Sequence, residues 1–342
     1  MMHKASTLKR QPAFGVQLHH DKLWCNDRKV HYIGPMSCVP PLWGHPKQTY
    51  CSVNFHLIKG VNVIAIRIIS DSTCDLSLED RERLQIEVIP LTVNFGEKAY
   101  LDGIDISSEQ FYDYLEQSEN LPTTSQVPPQ VFADAFKKHL DAGDEVVGIF
   151  ISGGMSGTFQ AACIAKDMIE SERLHVVDSR STTMGLALIL SEAAKHRDAG
   201  FSAAEVAEYA AGLSQKIRFL VALNTLKYAR KGGRISATSF VIGELLDIKP
   251  IVAIVDGTAQ TIGKARGMQA AIKELLQKAL ADLPDLKHGV AFAHSCAPEL
   301  AQRAIACMKE PLKLTDWLVC SAGSVIGTYA GRGAVGFAYI AE

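Results

Sequence analysis

The chain has little net charge and lacks the features that mark several common classes of protein. Its 342 residues carry a formal net charge of −2, which gives no general attraction to nucleic acid or to an anionic membrane surface. No stretch approaches the roughly 20 uninterrupted apolar residues of a membrane helix. The amino-terminal residues have no apolar core typical of a secretory signal. We therefore expect a cytoplasmic protein that binds no nucleic acid and is not stably inserted in a membrane.

Sequence motifs for metals and nucleotides are also missing. The eight cysteines are scattered without a CxxC pair, which argues against a zinc site and against a disulfide framework. Walker, HExxH and EF-hand sequences are absent. Residues 331–336 satisfy GxGxxG, but only six residues follow them, whereas a dinucleotide fingerprint has an acidic residue about 20 positions later. We expect no metal and no cofactor.

The first 62 residues differ in composition from the rest of the chain. They hold six of the eleven histidines and two of the three tryptophans, and they show no sustained helical or strand period. Several histidines and cysteines lie among them, but their spacings fit no recognised set of metal ligands. We therefore expect residues 1–62 to be an extension without a stable fold.

From residue 63 onward, the pattern of strand, loop and helix repeats. Residues 146–151 and 174–178 are almost uninterrupted apolar runs, which are typical of buried parallel strands. Residues 88–93 favour another strand, at an edge or in an irregular stretch because of Pro90. The alternation predicts right-handed crossovers and a parallel sheet covered by helices, with a ligand crevice at the carboxyl ends of its strands.

A second, smaller lobe is expected over residues 224–342. Residues 248–255 and 261–265 favour two strands joined across the Asp-Gly pair at 256–257. The sequence thus predicts an α/β protein with two lobes, in which residues 63–223 form the lobe with the parallel sheet.

Residues 152–158, Ser-Gly-Gly-Met-Ser-Gly-Thr, offer hydrogen-bond donors at the start of a helix. The glycines let the backbone approach a ligand, Ser156 and Thr158 supply hydroxyls, and a helix start directs free amides toward an anion. A simple helix cap would explain one hydroxyl but not the glycines. The segment also nearly matches the nucleophile elbow GxSxG, with Thr158 in place of the last glycine. The pattern favours an anion-binding site over a hydrolase.

Seven short segments follow one another in a characteristic order from residue 69 to the carboxyl terminus. They are Ile-Ser-Asp-Ser-Thr at 69–73, Pro-Thr-Thr-Ser-Gln at 122–126, Ile-Ser at 151–152 with Met-Ser-Gly-Thr at 155–158, Val-Asp-Ser at 177–179, Lys-Gly-Gly-Arg-Ile at 231–235, Ile-Lys-Pro at 248–250 and the glycine-rich 331–336. Together they resemble the bacterial DegV family of fatty-acid-binding proteins, over residues 63–342.

The resemblance implies both a fold and a function. It implies that the two lobes bury a long-chain fatty acid between them. It also implies that the chain has no catalytic residue and is the lipid-binding subunit of a two-component fatty acid kinase that serves phospholipid synthesis. In that role it presents the fatty-acid carboxylate to a separate ATP-dependent kinase, which makes the acyl phosphate.

The resemblance also assigns residues to the head group of the lipid. Thr124 and Ser156 match the hydroxyls that bind the carboxylate, and Tyr329 stands where the family usually has a histidine. A tyrosine hydroxyl can donate to a carboxylate but supplies no positive charge near neutral pH. Gly153 likewise replaces a usual serine. The loop residues expected near this site are Ser125, Gly157, Thr158 and Gly331.

Two arginines match positions that engage the kinase or the phosphoryl group, namely Arg234 and Arg266. Arginine suits this task because its planar guanidinium can hold two phosphate oxygens at once. Two alternatives remain open from the sequence: a serine hydrolase or acyltransferase that uses Ser156, and a regulatory protein that is merely stabilised by a lipid.

Overall fold

The structure is a computed structural model that describes residues 64–118, 120–235 and 247–342, together with three short strands near the amino terminus. These strands, β1 (Val16–His19), β2 (Lys22–Cys25) and β3 (Arg28–Val30), pair antiparallel in that order. The sequence had not predicted them. Most of residues 1–62 lie outside the described residues, so an extension without a stable fold stays a prediction. Residues 65–342 form a compact unit of their own.

The first lobe is built on a four-stranded parallel sheet with the order β10-β9-β4-β5. Its elements are β4 (Ile66–Asp71), α1 (Leu78–Leu84), β5 (Ile86–Ile89), β6 (Thr92–Phe95), β7 (Lys98–Leu101), α2 (Ser108–Gln117), β8 (Thr123–Ser125), α3 (Pro129–Asp141), β9 (Glu145–Phe150), α4 (Thr158–Ile169), β10 (Leu174–Asp178), α5 (Thr183–Asp198) and α6 (Ala203–Lys216). The predicted parallel sheet is confirmed. Strands β9 and β10 coincide with the two apolar runs because both are covered on each face.

The prediction of one strand over residues 88–93 is wrong. Strand β5 ends at Ile89, and β6 begins at Thr92 in a different, antiparallel sheet with the order β7-β6-β8. Pro90 lies at the break. Because proline has no N–H, it cannot donate a hydrogen bond to a neighbouring strand. The small antiparallel sheet holds β8, and with it Thr124.

The second lobe is a six-stranded mixed sheet with the order β13-β12-β11-β16-β14-β15. Its elements are β11 (Ile217–Ala222), α7 (Lys227–Lys231), β12 (Ile248–Val255), β13 (Thr258–Arg266), α8 (Met268–Ala281), β14 (Val290–His294), α9 (Pro298–Met308), β15 (Trp317–Ser321), α10 (Ser324–Ala330) and β16 (Val335–Ile340). The predicted hairpin across residues 256–257 is confirmed as β12 and β13. The first strand of this sheet, β11, lies just before the lobe boundary predicted at residue 224.

Helix α5 connects the two lobes through their cores. Its residues from Thr183 to Ala194 are all buried, and it packs against strands of both sheets. Most of these residues are apolar, and a helix that buries apolar residues on every side is typical of a protein core. Within the residues that the structure describes, no helix combines the length and the apolar character needed to cross a membrane.

Candidate functional site

A cavity lies between the two sheets. It is partly open to solvent and measures about 750 Å³ when that open space is included, and apolar side chains form most of its surface. Apolar contributions come from both lobes and include Leu91, Ile151, Phe219, Val221, Val252 and Val325. The polar contributions are Thr124, Ser156, Thr182, Arg234 and Tyr329. A concave apolar cavity with a few polar groups is typical of a site for a small ligand.

Three of the polar residues gather at one end of the cavity. Thr124 Oγ1 lies 2.6 Å from the hydroxyl oxygen of Tyr329, at hydrogen-bond distance. The guanidinium carbon of Arg234 lies 4.6 Å from the centre of the Tyr329 ring, in a cation–π arrangement. This end is therefore where a charged head group would find donors.

The predicted carboxylate ligands all contribute to the same cavity. Thr124, Ser156 and Tyr329 come from β8, from the loop before α4 and from α10, and each is half-buried at the cavity surface. Their role as ligands stays a prediction. The predicted neighbours Ser125, Gly157, Thr158 and Gly331 are not among the residues that line it.

The two predicted arginines have different surroundings. Arg234 contributes to the cavity and donates through Nη1 to the carbonyl oxygen of Gly232, at 2.7 Å. Arg266 is exposed at the end of β13 and is not among the cavity residues. Sequence alone had placed both on the kinase side. The lining position of Arg234 had no local signal, because it depends on the packing of α7 against α10.

Helix α10 positions Tyr329 in its last turn. At its amino end, the N–H of Gly323 donates to Asp75 Oδ1 at 2.8 Å, and both the N–H and the hydroxyl of Ser324 donate to Asp102 Oδ1 at 2.9 and 2.6 Å. Burial, together with the charge of Asp102, raises the pKa of Asp75 well above its usual range. These buried carboxyl groups tie α10 to the first lobe.

The loop between β9 and α4 uses its amides within the protein. The N–H of Gly153 donates to the Asp178 carboxylate at 3.3 Å, and that of Gly154 donates to Ser152 Oγ at 3.2 Å. The next two amides donate to the carbonyl oxygen of Ser152. The expectation that this loop offers free amides to an anion is therefore wrong for these four groups.

Gly154, in the middle of this loop, serves close packing between the lobes. A Cβ atom on Gly154 would lie 2.7 Å from the carbonyl oxygen of Gly257, in the turn between β12 and β13. Ser152 Oγ donates to the same carbonyl oxygen at 2.7 Å, and Arg180 pairs with Asp256 at 2.9 Å. The loop is thus held against the hairpin turn of the second lobe.

The hydroxyl of Ser156 also takes part in a local cap. It accepts a hydrogen bond from the N–H of Thr158 at 3.3 Å and lies 3.0 Å from Thr158 Oγ1. The simple helix cap therefore explains part of the hydroxyl pattern. The Ser156 hydroxyl can still donate its hydrogen either to Thr158 or to a ligand, because an oxygen that accepts a bond keeps its own donor.

Acidic side chains lie where two of the parallel strands end. Asp71 is buried at the end of β4 and accepts hydrogen bonds from the N–H of Ile151 at 2.7 Å and from Thr73. Burial raises the pKa of Asp71 to about 6, although these hydrogen bonds favour its charged form. Asp178, at the end of β10, accepts from the N–H of Arg180 at 2.7 Å. Both carboxylates fix loops beside the cavity.

Together, the fold and the cavity define a two-lobed α/β protein with a largely apolar cleft between its sheets. Residues 65–342 match the model of the DegV family, a family of uncharacterised proteins. A DegV domain-containing protein of Caldanaerobacter subterraneus is 34% identical over 272 residues, which cover 79% of this chain and 97% of that protein. The chain belongs to the DegV family.

Solved structures share the fold. One is described as showing fatty acid binding by a DegV family protein of Thermus thermophilus; it is 29% identical, with a TM-score of 0.72, and the match covers 81% of this chain and 100% of that one. Another is a DegV family protein of Eubacterium eligens loaded with heptadecanoic acid, 25% identical, with a TM-score of 0.71 and a match over 81% and 100% of the two chains. The two-lobed fold expected from the sequence is confirmed.

Proposed function

We propose that this protein binds a long-chain fatty acid in the cavity between its lobes and presents the carboxylate to a separate ATP-dependent kinase in the cytoplasm. The carboxylate lies at the end formed by Thr124, Ser156 and Tyr329, and the tail extends along the apolar part. The kinase then transfers a phosphoryl group from ATP to the carboxylate and makes the acyl phosphate. This chain contributes binding and orientation.

The proposal rests mainly on one observation: polar side chains lie at one end of the cavity, and apolar side chains line the rest of it. Each buried methylene of the tail contributes about 0.8 kcal/mol, whereas each hydrogen bond to the carboxylate contributes roughly 1.5–3 kcal/mol. A tail of many methylenes therefore sets most of the affinity, and the hydroxyls set the orientation. The fatty acids described for the Thermus and Eubacterium relatives support this assignment.

A polar recess supports the step that involves the kinase. It adjoins the cavity and shares Thr124, Arg234 and Tyr329 with it, while Lys231 adds a second cationic side chain. Cations beside a carboxylate suit the approach of a phosphoryl group, whose oxygens they can bind. The recess would thus receive the phosphoryl group on the outer side of the pair formed by Thr124 and Tyr329.

The hydrolase alternative finds less support. The described residues that line the cavity include no histidine, lysine or carboxylate that could act as a general base for Ser156. The regulatory alternative shares the same cavity and differs only in the fate of the lipid after it has bound. Phosphorylation of the bound lipid by a partner kinase separates it from the proposed function.

Extraction of the purified protein tests the binding step directly. Organic extraction followed by mass spectrometry should release a fatty acid in near-stoichiometric amount, since an apolar cavity of this kind retains its ligand through purification. Protein that carries no lipid and binds none from added palmitic acid would refute the proposal. Turnover of a chromogenic acyl ester that is lost in Ser156→Ala would favour the hydrolase instead.

Removal of the Tyr329 hydroxyl should weaken carboxylate binding. We expect Tyr329→Phe to reduce the affinity for palmitic acid by roughly 1–2 kcal/mol, about the value of one hydrogen bond to a charged acceptor. Tyr329→His should be tolerated because it restores a donor. Titration calorimetry measures the difference, and Tyr114→Phe, an exposed tyrosine outside the cavity, is the matched control. If Tyr329→Phe binds as tightly as the parent, the hydroxyl does not contact the ligand.

The two arginines should separate binding from phosphoryl transfer. We expect Arg266→Ala to lower acyl phosphate formation while fatty-acid affinity stays close to that of the parent, because Arg266 is exposed and does not line the cavity. Arg234→Ala should lower both, because Arg234 lies over the Tyr329 ring. Acyl phosphate formation can be measured by trapping the product with hydroxylamine. The kinase is provided by an extract, supplemented with ATP, of the cells that naturally make this protein. Equal loss of binding and turnover in Arg266→Ala would contradict its assignment to the kinase side.

A further inference from the structure

The glycine-rich segment 331–336 contains a single charged residue, Arg332, which lies two positions after the end of α10. The glycines on both sides of it have positive φ angles, 69° for Gly331 and 84° for Gly333. The chain can therefore bend sharply before and after Arg332. Arg332 is not among the residues that line the cavity or the polar recess, so its side chain serves another purpose.

The Arg332 guanidinium joins the end of α10 to α2. Its Nη2 donates to Asp113 Oδ1 at 3.0 Å, and its Nε lies 2.6 Å from Glu116 Oε1. Its Nη1 donates to the Sγ atom of Cys296 at 2.9 Å, and the guanidinium carbon lies 5.6 Å from the centre of the Tyr112 ring. A planar guanidinium can make all these contacts at once, whereas a lysine ammonium is a point charge on a flexible stem.

Helix α2 also contacts the beginning and the middle of α10. The hydroxyls of Ser108 and Tyr112 donate to the carbonyl oxygen of Ala322 at 3.0 and 3.2 Å, just before α10 begins. In the middle of α10, a Cβ atom on Gly327 would lie 2.5 Å from a ring carbon of Phe111, so the two helices are in close contact there. The glycine-rich segment adds the third contact, at the carboxyl end of α10.

The position of the Tyr329 hydroxyl depends on this end of α10. The ring has little freedom, because a Cβ atom on Gly232 would lie 2.5 Å from two of its carbons and the Arg234 guanidinium lies 4.6 Å from its centre. The hydroxyl oxygen lies 2.6 Å from Thr124 Oγ1. A shift of the helix end would change this distance, and with it the place where the two hydroxyls can hold a carboxylate.

We propose that Arg332 is a positioning residue, which fixes the carboxyl end of α10 to α2 and so holds the Tyr329 hydroxyl where it binds the fatty-acid carboxylate. The inference rests on the proposed fatty-acid binding and adds a residue outside the cavity that governs recognition of the head group. Ion pairs to exposed carboxylates such as Asp113 and Glu116 contribute little to stability. Loss of Arg332 should therefore change head-group recognition far more than the melting temperature.

The test separates the head group from the tail by comparing palmitic acid with 1-hexadecanol, which has the same number of carbons but no carboxylate. Displacement of a fluorescent fatty acid, after removal of the bound lipid, gives both affinities. In Arg332→Ala, the ratio of the palmitic acid to the hexadecanol affinity should fall about 3- to 10-fold, less than the value of one hydrogen bond to a charged acceptor. An unchanged ratio would overturn the inference. Arg83→Ala, an exposed arginine paired within α1, is the matched control.

A combined variant shows whether Arg332 acts through the tyrosine. In a Tyr329→Phe background, Arg332→Ala should lower the ratio no further, because no hydroxyl remains to be positioned. A second fall of similar size would overturn the inference, since it would mean that the positive charge of Arg332 attracts the carboxylate directly.

The partners of Arg332 on α2 provide a test that leaves the arginine in place. Asp113→Asn combined with Glu116→Gln should lower the ratio, as Arg332→Ala does, because the end of α10 loses its attachment. Direct attraction by charge predicts the opposite, a higher ratio, because two negative charges are removed; a higher or unchanged ratio would overturn the inference. If Arg332→Ala fails to fold in a thermal melt, this variant decides.

The parent protein distinguishes failure of this inference from failure of the proposed function. If the parent binds neither palmitic acid nor hexadecanol, the proposed function itself fails. If the parent prefers palmitic acid and this preference is the same in all the variants of Arg332 and its partners, the positioning role alone is refuted.

Discussion

Replacing Gly331 by alanine should lower the free energy of unfolding by about 1–3 kcal/mol and weaken ligand retention. Gly331 ends α10 with a φ of 69° and a ψ of 175°, a backbone region that only glycine occupies without strain. A Cβ atom there would also lie 2.5 Å from the ring of Tyr228. To relieve the backbone strain or the contact with the Tyr228 ring, the end of α10 must move. This end lies only two residues after Tyr329.

The control for this substitution is Gly212→Ala, in α6. A Cβ atom on Gly212 meets no atom within 4 Å, and alanine favours a helix by up to about 1 kcal/mol over glycine. This variant should therefore be as stable as the parent or more so. Chemical denaturation gives both free energies. Parental stability of Gly331→Ala would mean that α10 does not end at this residue in solution.

Replacing Gly154 by alanine should destabilise the protein by about 1–3 kcal/mol, the usual result of overpacking. The added Cβ atom would meet the carbonyl oxygen of Gly257 at 2.7 Å and the Thr258 methyl group at 3.0 Å. A backbone carbonyl in a hairpin turn has little freedom to move, so the loop that carries Ser156 must shift instead. Fatty-acid affinity should fall together with stability.

The adjacent glycine provides a matched comparison. A Cβ atom on Gly153 meets only side-chain atoms, a Phe159 ring carbon at 3.0 Å and an Asp178 oxygen at 3.2 Å. Side chains can move by a few tenths of an ångström, so Gly153→Ala should cost less than Gly154→Ala. If the two variants were equally stable, the contact between this loop and the hairpin turn would not be tight in solution.

Much of the fold could be predicted because its signals are local. The apolar runs of β9 and β10 mark buried strands, and the Asp-Gly pair at 256–257 marks the hairpin of β12 and β13. Thr124, Ser156 and Tyr329 were assigned through the resemblance to a family rather than through geometry. The structure places all three at one cavity, although 205 residues separate Thr124 from Tyr329.

The cavity itself depends on contacts between distant parts of the chain. Strand β11 pairs with β16, where Phe219 faces Ala338, and neither segment shows in its own sequence which strand will be its neighbour. The positions of Phe219 and Ile254 at the cavity surface therefore have no sequence signal beyond that of two apolar strands. The same holds for Arg234, whose place over Tyr329 follows from the packing of α7 against α10.

Local patterns were enough to establish the α/β class, the buried strands and the hairpin, because hydrophobic periodicity and turn residues act over a few positions. The polar residues Thr124, Ser156 and Tyr329 were assigned through the resemblance to a family, and their role as ligands stays a prediction. Three features emerged only from the folded chain. Pro90 divides a predicted strand between two sheets, the amides of residues 153–156 form hydrogen bonds within the protein, and residues from both lobes meet at one cavity. Strand pairing and close packing depend on residues brought together from far along the chain. A local sequence pattern does not specify which distant segments will pack against it.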